Sequence, residues 1–473
     1  MPALAAWLAP WAFLLLLQLW LVRTEETPAL LSIPLQKQYV PVQKDNKIVA
    51  YKTAYFGTVT VGAEEPRQSF TVVFDTGSGH LILPSTACKS ETCTKHRQYS
   101  RATSKSAVDV EYDGTLIRPD AVERDQVAIA FGTGQVLGEF VREDVCVGTS
   151  AHLDASGATD VRDDADVPAE GEAVSASAAA DGSGGKCLTL RVVLATEMTA
   201  DPFGLFAFDG VLGLGLEALT LAPQFSFFSQ MAEQHPASVQ PTFAVYLART
   251  DGGESLISFG GHDERRASSE LQWAPVAMKE LGYWQVKIKS LRIGDSIVED
   301  CMDGTCRAIL DTGTSLLGVP RQSSRSLHKL LARQVPKDLV ADASSVDCRT
   351  VAGHGMHFEL EGGMVVSLGV EDYSRPTPFN MTIPNSDSWR LFCRSLLLPV
   401  DMQAPLGPKV YIWGEPVLRR YYTVYDLARK RVGFTVARDL DAAERSPGLP
   451  AVGAPPPGSL ISGAPLAPMR ATQ

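Results

Sequence analysis

At 473 residues the chain exceeds the length at which one hydrophobic core normally stops growing, so two lobes are expected once the ends are set aside. It is 45% hydrophobic and 21% charged, with 39 Gly and 30 Pro, a balance that fits a turn-rich globular protein better than a helical or disordered one. A formal net charge of -11 argues against a nucleic-acid or anionic-membrane surface, although it names no partner.

Taken in chain order, residues 1–23 come first and hold the apolar run "ALAAWLAPWAFLLLLQLWLV". This reads as a cleaved signal peptide in preference to an anchor, and a membrane association is expected only if the run is retained. Either way the remainder enters the secretory pathway, with an extracellular or vacuolar, lysosome-like destination. Residues 24–47 read as a short pro or linker segment. From 48 onward the pattern is all-β: "AYFGTVTVG", "SFTVVFDTG", "HLILP" and "VAIAFGTGQVLGEFV" are short strands punctuated by turn residues. Residues 48–242 are expected as the first lobe and 243–437 as the second. The best helical patterns are "LAPQFSFFSQMAEQ" and "SSRSLHKLLARQ". Within the first lobe, 147–186 is rich in Ala, Gly, Ser and acids and cannot bury enough apolar surface to fold, so a disordered surface insertion is expected there. The tail 438–473, rich in Pro, Gly and Ala, reads the same way.

Eight cysteines in an oxidising compartment suggest disulfides. Cys88 with Cys93 and Cys301 with Cys306 can each close a short loop, Cys146 and Cys187 bracket the insertion, and Cys348 and Cys393 remain as the fourth pair. Zinc would want two C-x-x-C knuckles or paired His at ligand spacing, and "HGMH" at 354–357 has no cysteines nearby. Neither a metal nor a cofactor is expected.

Asp75 in "VFDTGSGHLIL" would by itself be a turn residue whose carboxylate bonds nearby N–H groups. A second copy changes that reading. "RAILDTGTSLL" again delivers Asp-Thr-Gly after an apolar run, at Asp311, about half the folded chain away. "FDGVLGLGL" follows the first copy and "VYIWGEPVL" the second, each an apolar stretch interrupted by Gly. Two carboxylates held about 3 Å apart cannot both ionise, so such a pair shares one proton and titrates as a unit. One member can then take a proton from an attacking water while the other hydrogen-bonds the peptide carbonyl. Gly77 and Gly313 let backbone N–H groups approach the carboxylates, and Ser78 and Thr314 can donate hydroxyls to their outer oxygens.

With these motifs in order, and "ISFGGHD", "GYWQVKIKSLRIG" and "YYTVYDLARKRVGF" beside them, the chain resembles the pepsin-family aspartic proteases over roughly residues 50–437. The resemblance implies a bilobal, mainly antiparallel all-β fold with an inter-lobe cleft and a β-hairpin flap. It implies a monomeric endopeptidase acting on protein or peptide substrates, with Asp75 and Asp311 as the catalytic pair. Thr76, Gly77, Ser78, Thr312, Gly313 and Thr314 support that pair; Phe131, Gly132, Thr133, Ile82 and Tyr283 form the flap and cleft wall. The family's disulfides match Cys88 with Cys93, Cys301 with Cys306 and Cys348 with Cys393, and the insertion's pair is extra.

Several positions depart from the family. Phe131 stands where the flap carries Tyr, and Ile82 where that Tyr's tryptophan partner lies, so both ends of one hydrogen bond are missing together. Phe131 is therefore expected to pack on Ile82. Glu415 stands where Asp is common. The segment before the first lobe has few basic residues; Lys37 and Lys44 are its candidates for capping the dyad's charge, and no full inhibitory prosegment is expected. "GLGLEA" imitates a dinucleotide turn without a βαβ unit around it, and "DVRDDAD" lacks the Gly and Glu of a calcium loop. Asn380 in "NMT" is a glycosylation sequon. A catalytically silent binding protein is the rival class, which loss of either Asp would have favoured.

Overall fold

Runs of β-branched and aromatic residues cut by Gly and Pro fold into short antiparallel strands, because such side chains pack well on a pleated surface. The computed structural model describes residues 30–148 and 185–440 apart from 45–46, 65, 119–120, 122, 133, 237, 343–345 and 383–388. The expected signal or anchor, most of the insertion and the tail beyond 440 lie outside the described residues, as does Thr133. The mostly β architecture read from the sequence holds. A 14-stranded sheet, an 8-stranded sheet and a 3-stranded sheet carry the chain. Among the helices are the two expected ones, Phe227–Gln234 and Arg321–Leu331, which bury Phe227, Phe228 and Met231, and Leu327 and Leu331.

The largest sheet draws strands from both halves of the sequence. Its joint is β1 (Leu31–Lys44), which changes partner midway. Leu31–Leu35 pair antiparallel with Phe259–Ser255 of the second half, and Gln36–Lys44 pair with β2 (Lys47–Val61) of the first. The segment expected as a pro or linker piece is thus, from residue 31, a sheet strand. The physical reason is alternation: Leu31 and Ile33 are buried while Ser32, Pro34 and Gln36, at the alternate positions, face outward.

Next comes β3 (Gln68–Asp75), which ends on the first aspartate, then β4 (Leu81–Pro84). Strand Gly210–Gly213 runs parallel to β3 and antiparallel to β4, threading between them. The second half repeats this arrangement. Arg307–Leu310 precedes Asp311, and Val410–Trp413 threads between it, in parallel, and Leu317–Pro320, antiparallel. The sequence resemblance between "FDGVLGLGL" and "VYIWGEPVL" therefore reflects one structural role.

All four disulfides form as paired in the sequence analysis. Cys146 and Cys187 sit opposite each other in the ladder between Gly134–Val147 and Lys186–Met198, so the bond clasps the base of the insertion. Between the two threaded units stands Trp284, fully buried, its ring edge-on to Phe243 and Tyr425. Its indole N–H donates to the Leu214 carbonyl at 2.8 Å, and the Leu214 N–H donates to the Asp75 carbonyl at 2.7 Å. Trp284→Phe keeps most of the packing but strands a buried carbonyl, which costs about 1–3 kcal/mol. The urea midpoint of unfolding should fall accordingly, and an unchanged midpoint would remove Trp284 from the role given it here.

Candidate active site

Each Asp-Thr-Gly triplet turns sharply at the end of a buried strand, so that its aspartate is held by backbone on both sides. The Asp75 carbonyl receives the Leu214 N–H, and the Asp311 N–H donates to the Trp413 carbonyl at 3.1 Å. Glycine is needed where the threading strand passes under the second turn: a Cβ on Gly414 would lie 2.1 Å from the Thr314 carbonyl oxygen.

The threonines lock the two turns together. The Thr76 N–H donates to Thr312 Oγ1 at 3.0 Å, and the Thr312 N–H donates to Thr76 Oγ1, also at 3.0 Å. Each hydroxyl then donates across the interface, Thr76 to the Leu310 carbonyl at 2.8 Å and Thr312 to the Phe74 carbonyl at 2.5 Å. Four hydrogen bonds with reciprocal geometry leave little freedom for one turn to slide past the other.

Asp75 and Asp311 meet above this lock. Asp75 Oδ1 accepts the Gly77 N–H at 2.9 Å, and Asp311 Oδ1 accepts the Gly313 N–H at 2.8 Å. The glycines serve a second purpose that the sequence does not display. A Cβ on Gly77 would lie 2.9 Å from Asp311 Cγ, and one on Gly313 would lie 2.7 Å from Asp75 Oδ1. Any larger residue would push into the opposite carboxylate. Burial first, then the Asp75 charge, raise Asp311 to about 7, and a hydrogen bond between the two carboxyls adds to this. The Thr314 hydroxyl and the Gly313 N–H pull the other way.

The two hydroxyl supports are not equivalent. Thr314 Oγ1 donates to Asp311 Oδ2 at 2.6 Å, as expected. Ser78 does not reach Asp75: its Oγ is buried without a hydrogen-bond partner among the described residues. The backbone does not distinguish the two: each N–H donates to its aspartate's carbonyl, and each carbonyl accepts from the end of the threading strand, Gly215 for Ser78 and Glu415 for Thr314.

Tyr283 is half-buried. Burial raises its phenol, and the charges of Asp311 and Asp75 raise it further, so it shares their electrostatic surroundings. The hairpin of Val127–Phe131 and Gly134–Val147 turns at Gly132, whose φ of 52° suits glycine. Phe131 is half-buried at its tip end and meets Phe203 edge-on, ring centroids 5.4 Å apart. It packs against the apolar cluster that contains Ile82. Ile82 itself is only 1% exposed in that cluster, so it backs the hairpin from the core and offers no cleft surface.

Glu415 and Lys37 find each other. Glu415 is buried beneath the Asp311 turn, where Tyr55 donates to it at 2.8 Å, Thr53 donates as well, and Lys37 approaches at 2.7 Å. Lys37 therefore neutralises Glu415 and not the dyad. Thr53 also exchanges two 2.8 Å hydrogen bonds with Ser315, next to the second turn. Thr53, Tyr55 and Ser315 escaped sequence reading because nothing local marks them; their significance lies in contacts across more than half the chain.

Comparisons with known proteins agree with this geometry. The family model described as eukaryotic aspartyl protease matches residues 54–156 and 183–437. The chain is 30% identical to cathepsin E of Rattus norvegicus over 388 residues, covering 81% of this chain and 80% of the relative. It is 28% identical to pepsin A of Bos taurus, covering 80% and 83%, and 29% identical to gastricsin of Homo sapiens, covering 81% of each. The chain belongs to the eukaryotic aspartyl protease family and is an aspartic-type endopeptidase.

Proposed function

We propose that Asp75 and Asp311 jointly carry peptide-bond cleavage, with Thr76 and Thr312 fixing their separation and Thr314 orienting Asp311. The observation that supports this best is the reciprocal threonine lock beneath two carboxyls packed so closely that a Cβ on Gly77 would lie 2.9 Å from Asp311 Cγ and one on Gly313 would lie 2.7 Å from Asp75 Oδ1. The dyad keeps one proton as a unit. Its ionised oxygen takes a proton from water as the water oxygen bonds to the scissile carbonyl carbon, while the proton already held passes to the carbonyl oxygen. The diol collapses as the dyad gives its proton to the amide nitrogen, the C–N bond breaks, and one diol hydroxyl re-forms C=O and passes its proton to the dyad; the products are a carboxylic acid, an amine and a dyad again holding one shared proton.

The hairpin ending at Phe131, Gly132 and Thr133 is the flap in this reading, and Tyr283 is cleft wall. An aromatic flap residue favours peptides with apolar side chains beside the cleaved bond. Lobes of 48–242 and 243–437 are consistent with one Asp-Thr-Gly turn in each. Four disulfides fit an oxidising compartment, hence the secretory pathway and an extracellular or lysosome-like destination. Asn380 is exposed on strand Phe379–Thr382, as an acceptor for glycosylation needs to be.

Cleavage of an acid-unfolded protein, with and without a statine-type inhibitor, tests the assignment. Asp75→Asn and Asp311→Asn should each lower kcat by at least about 10²–10⁴-fold, and substantial turnover in either would overturn it. With Asp311 near 7, kcat/KM should fall as pH rises through that region and the shared proton is lost. Thr314→Val removes a hydrogen bond that stabilises the ionised carboxylate, so this alkaline fall should move to higher pH; an unshifted profile would deny Thr314 its role. Phe131→Tyr should change kcat/KM by less than about tenfold, because Ile82 gives the new hydroxyl nothing to bond. A large gain in turnover would instead show that the missing hydroxyl limits this enzyme.

A further inference from the structure

We propose that Lys37 is a positioning residue for the Asp311 half of the dyad, which makes β1 a lasting part of the working enzyme. The inference rests on the dyad reading above and extends it to a residue outside both Asp-Thr-Gly turns.

Lys37 reaches inward from the stretch of β1 where pairing passes from the second half of the chain to the first. Its side chain is 16% exposed. The groups facing it are Glu415 at 2.7 Å, Asp251 at 3.5 Å, and the rings of Tyr39 and Tyr55 at 4.3 and 5.4 Å from the ammonium nitrogen. Arg419 is the other cation in the group, 3.4 Å from Glu415, and its guanidinium is also engaged by the Ala248 and Arg249 carbonyls. Lys37 is thus the nearer counter-charge of a buried carboxylate.

From Glu415 the path to the chemistry is short. The Glu415 N–H donates to the Thr314 carbonyl at 2.9 Å, and the Thr314 hydroxyl donates to Asp311 Oδ2. Thr53, whose hydroxyl also holds Glu415, clasps Ser315 through its backbone. Without the ammonium, Glu415 keeps Arg419, Tyr55 and Thr53 but loses its nearest counter-charge, so its carboxylate must either turn toward Arg419 or draw Arg419 toward itself. Both responses disturb the residue that anchors the Thr314 carbonyl. Small displacements of reacting groups are costly in rate even when substrate binding survives.

The cation arrives only with its strand. Leu31 and Ile33 are buried, and Leu31–Leu35 fill the edge of strand Ser255–Phe259. Only residues 45 and 46 separate β1 from β2, and Lys47–Tyr55 of β2, which carry Thr53 and Tyr55, pair with β1 alone, so loss of β1 would also unseat two of the hydroxyls that hold Glu415.

The test compares the wild-type full chain with Lys37→Met, Lys37→Arg, Glu415→Gln and the double variant Lys37→Met/Glu415→Gln. A quenched-fluorescent peptide with apolar residues at the scissile bond gives kcat and KM, and a statine-type inhibitor gives Ki. Lys37→Met should lower kcat about tenfold or more with KM nearly constant, and should weaken the inhibitor in parallel. Lys37→Arg should restore most of the loss. The double variant, which removes both charges, should lose less than the two single losses multiplied together. Wild-type kcat in Lys37→Met, or strictly multiplicative losses, would overturn the proposal. If Lys37→Met does not fold, the folded double variant decides: retention of most activity supports the charge pairing, and a loss as complete as in Asp75→Asn refutes it. N-terminal sequencing of the active enzyme should find a start ahead of Leu31, and a fully active form beginning after Lys44 would also refute it. Wild-type turnover and its loss in Asp75→Asn, measured in the same assay, report separately on the dyad itself.

Discussion

The reciprocal hydrogen bonds between Thr76 and Thr312 are the constraint on which the remaining structure depends. Each aspartate is one residue away from a threonine whose backbone and hydroxyl are committed to the other half of the chain. The lock therefore sets where the carboxyls stand before any side chain acts on them. It also explains the strict residue types around it. Gly77 and Gly313 leave the room in which the opposite carboxylate sits, and the threading strands beneath keep both turns from relaxing. Two buried carboxyls would otherwise drift apart, since separation relieves the desolvation of the one charge they carry and lets both ionise.

Much of this was legible in the sequence because the turns are local. Asp-Thr-Gly following an apolar run encodes a strand, a sharp turn and a presented carboxylate within a few residues, and its repetition implies a partner. Disulfide pairing was legible for a similar reason, with two short loops and one pair bracketing a compositional break. The contacts that were not legible join residues far apart. Nothing near Tyr55 or Thr53 says that both will hold Glu415, and nothing near Phe131 says that its ring will meet Phe203. The alternation of Leu31, Ile33 and Leu35 was available as a strand signal. It is brief, interrupted by Pro34, and gains meaning only when strand Ser255–Phe259 supplies the other side. Ser78 shows the opposite failure: the motif promised a hydroxyl bond to Asp75 that forms only in the second copy, at Thr314, although the backbone bonds of the two turns match.

The two halves repeat their topology without repeating their chemistry. Beneath the Asp75 turn the threading strand is anchored by a neutral donor, the Trp284 indole, through Leu214. Beneath the Asp311 turn the equivalent position is Glu415, within an ionic group made with Lys37, Arg419 and Asp251. Thr314 bonds the outer oxygen of Asp311, and Ser78 leaves that of Asp75 without a hydroxyl. A topologically symmetric dyad thus sits in an asymmetric field. Asymmetry is what cleavage requires, because the two carboxyls must do different things at the same moment, one accepting a proton while the other gives one up. A perfectly symmetric pair would have to wait for substrate to distinguish its members, whereas here the protein distinguishes them beforehand. The repeated part of the machinery, the threonine lock, holds the carboxyls together; the lone serine and the buried glutamate beside it make them unequal.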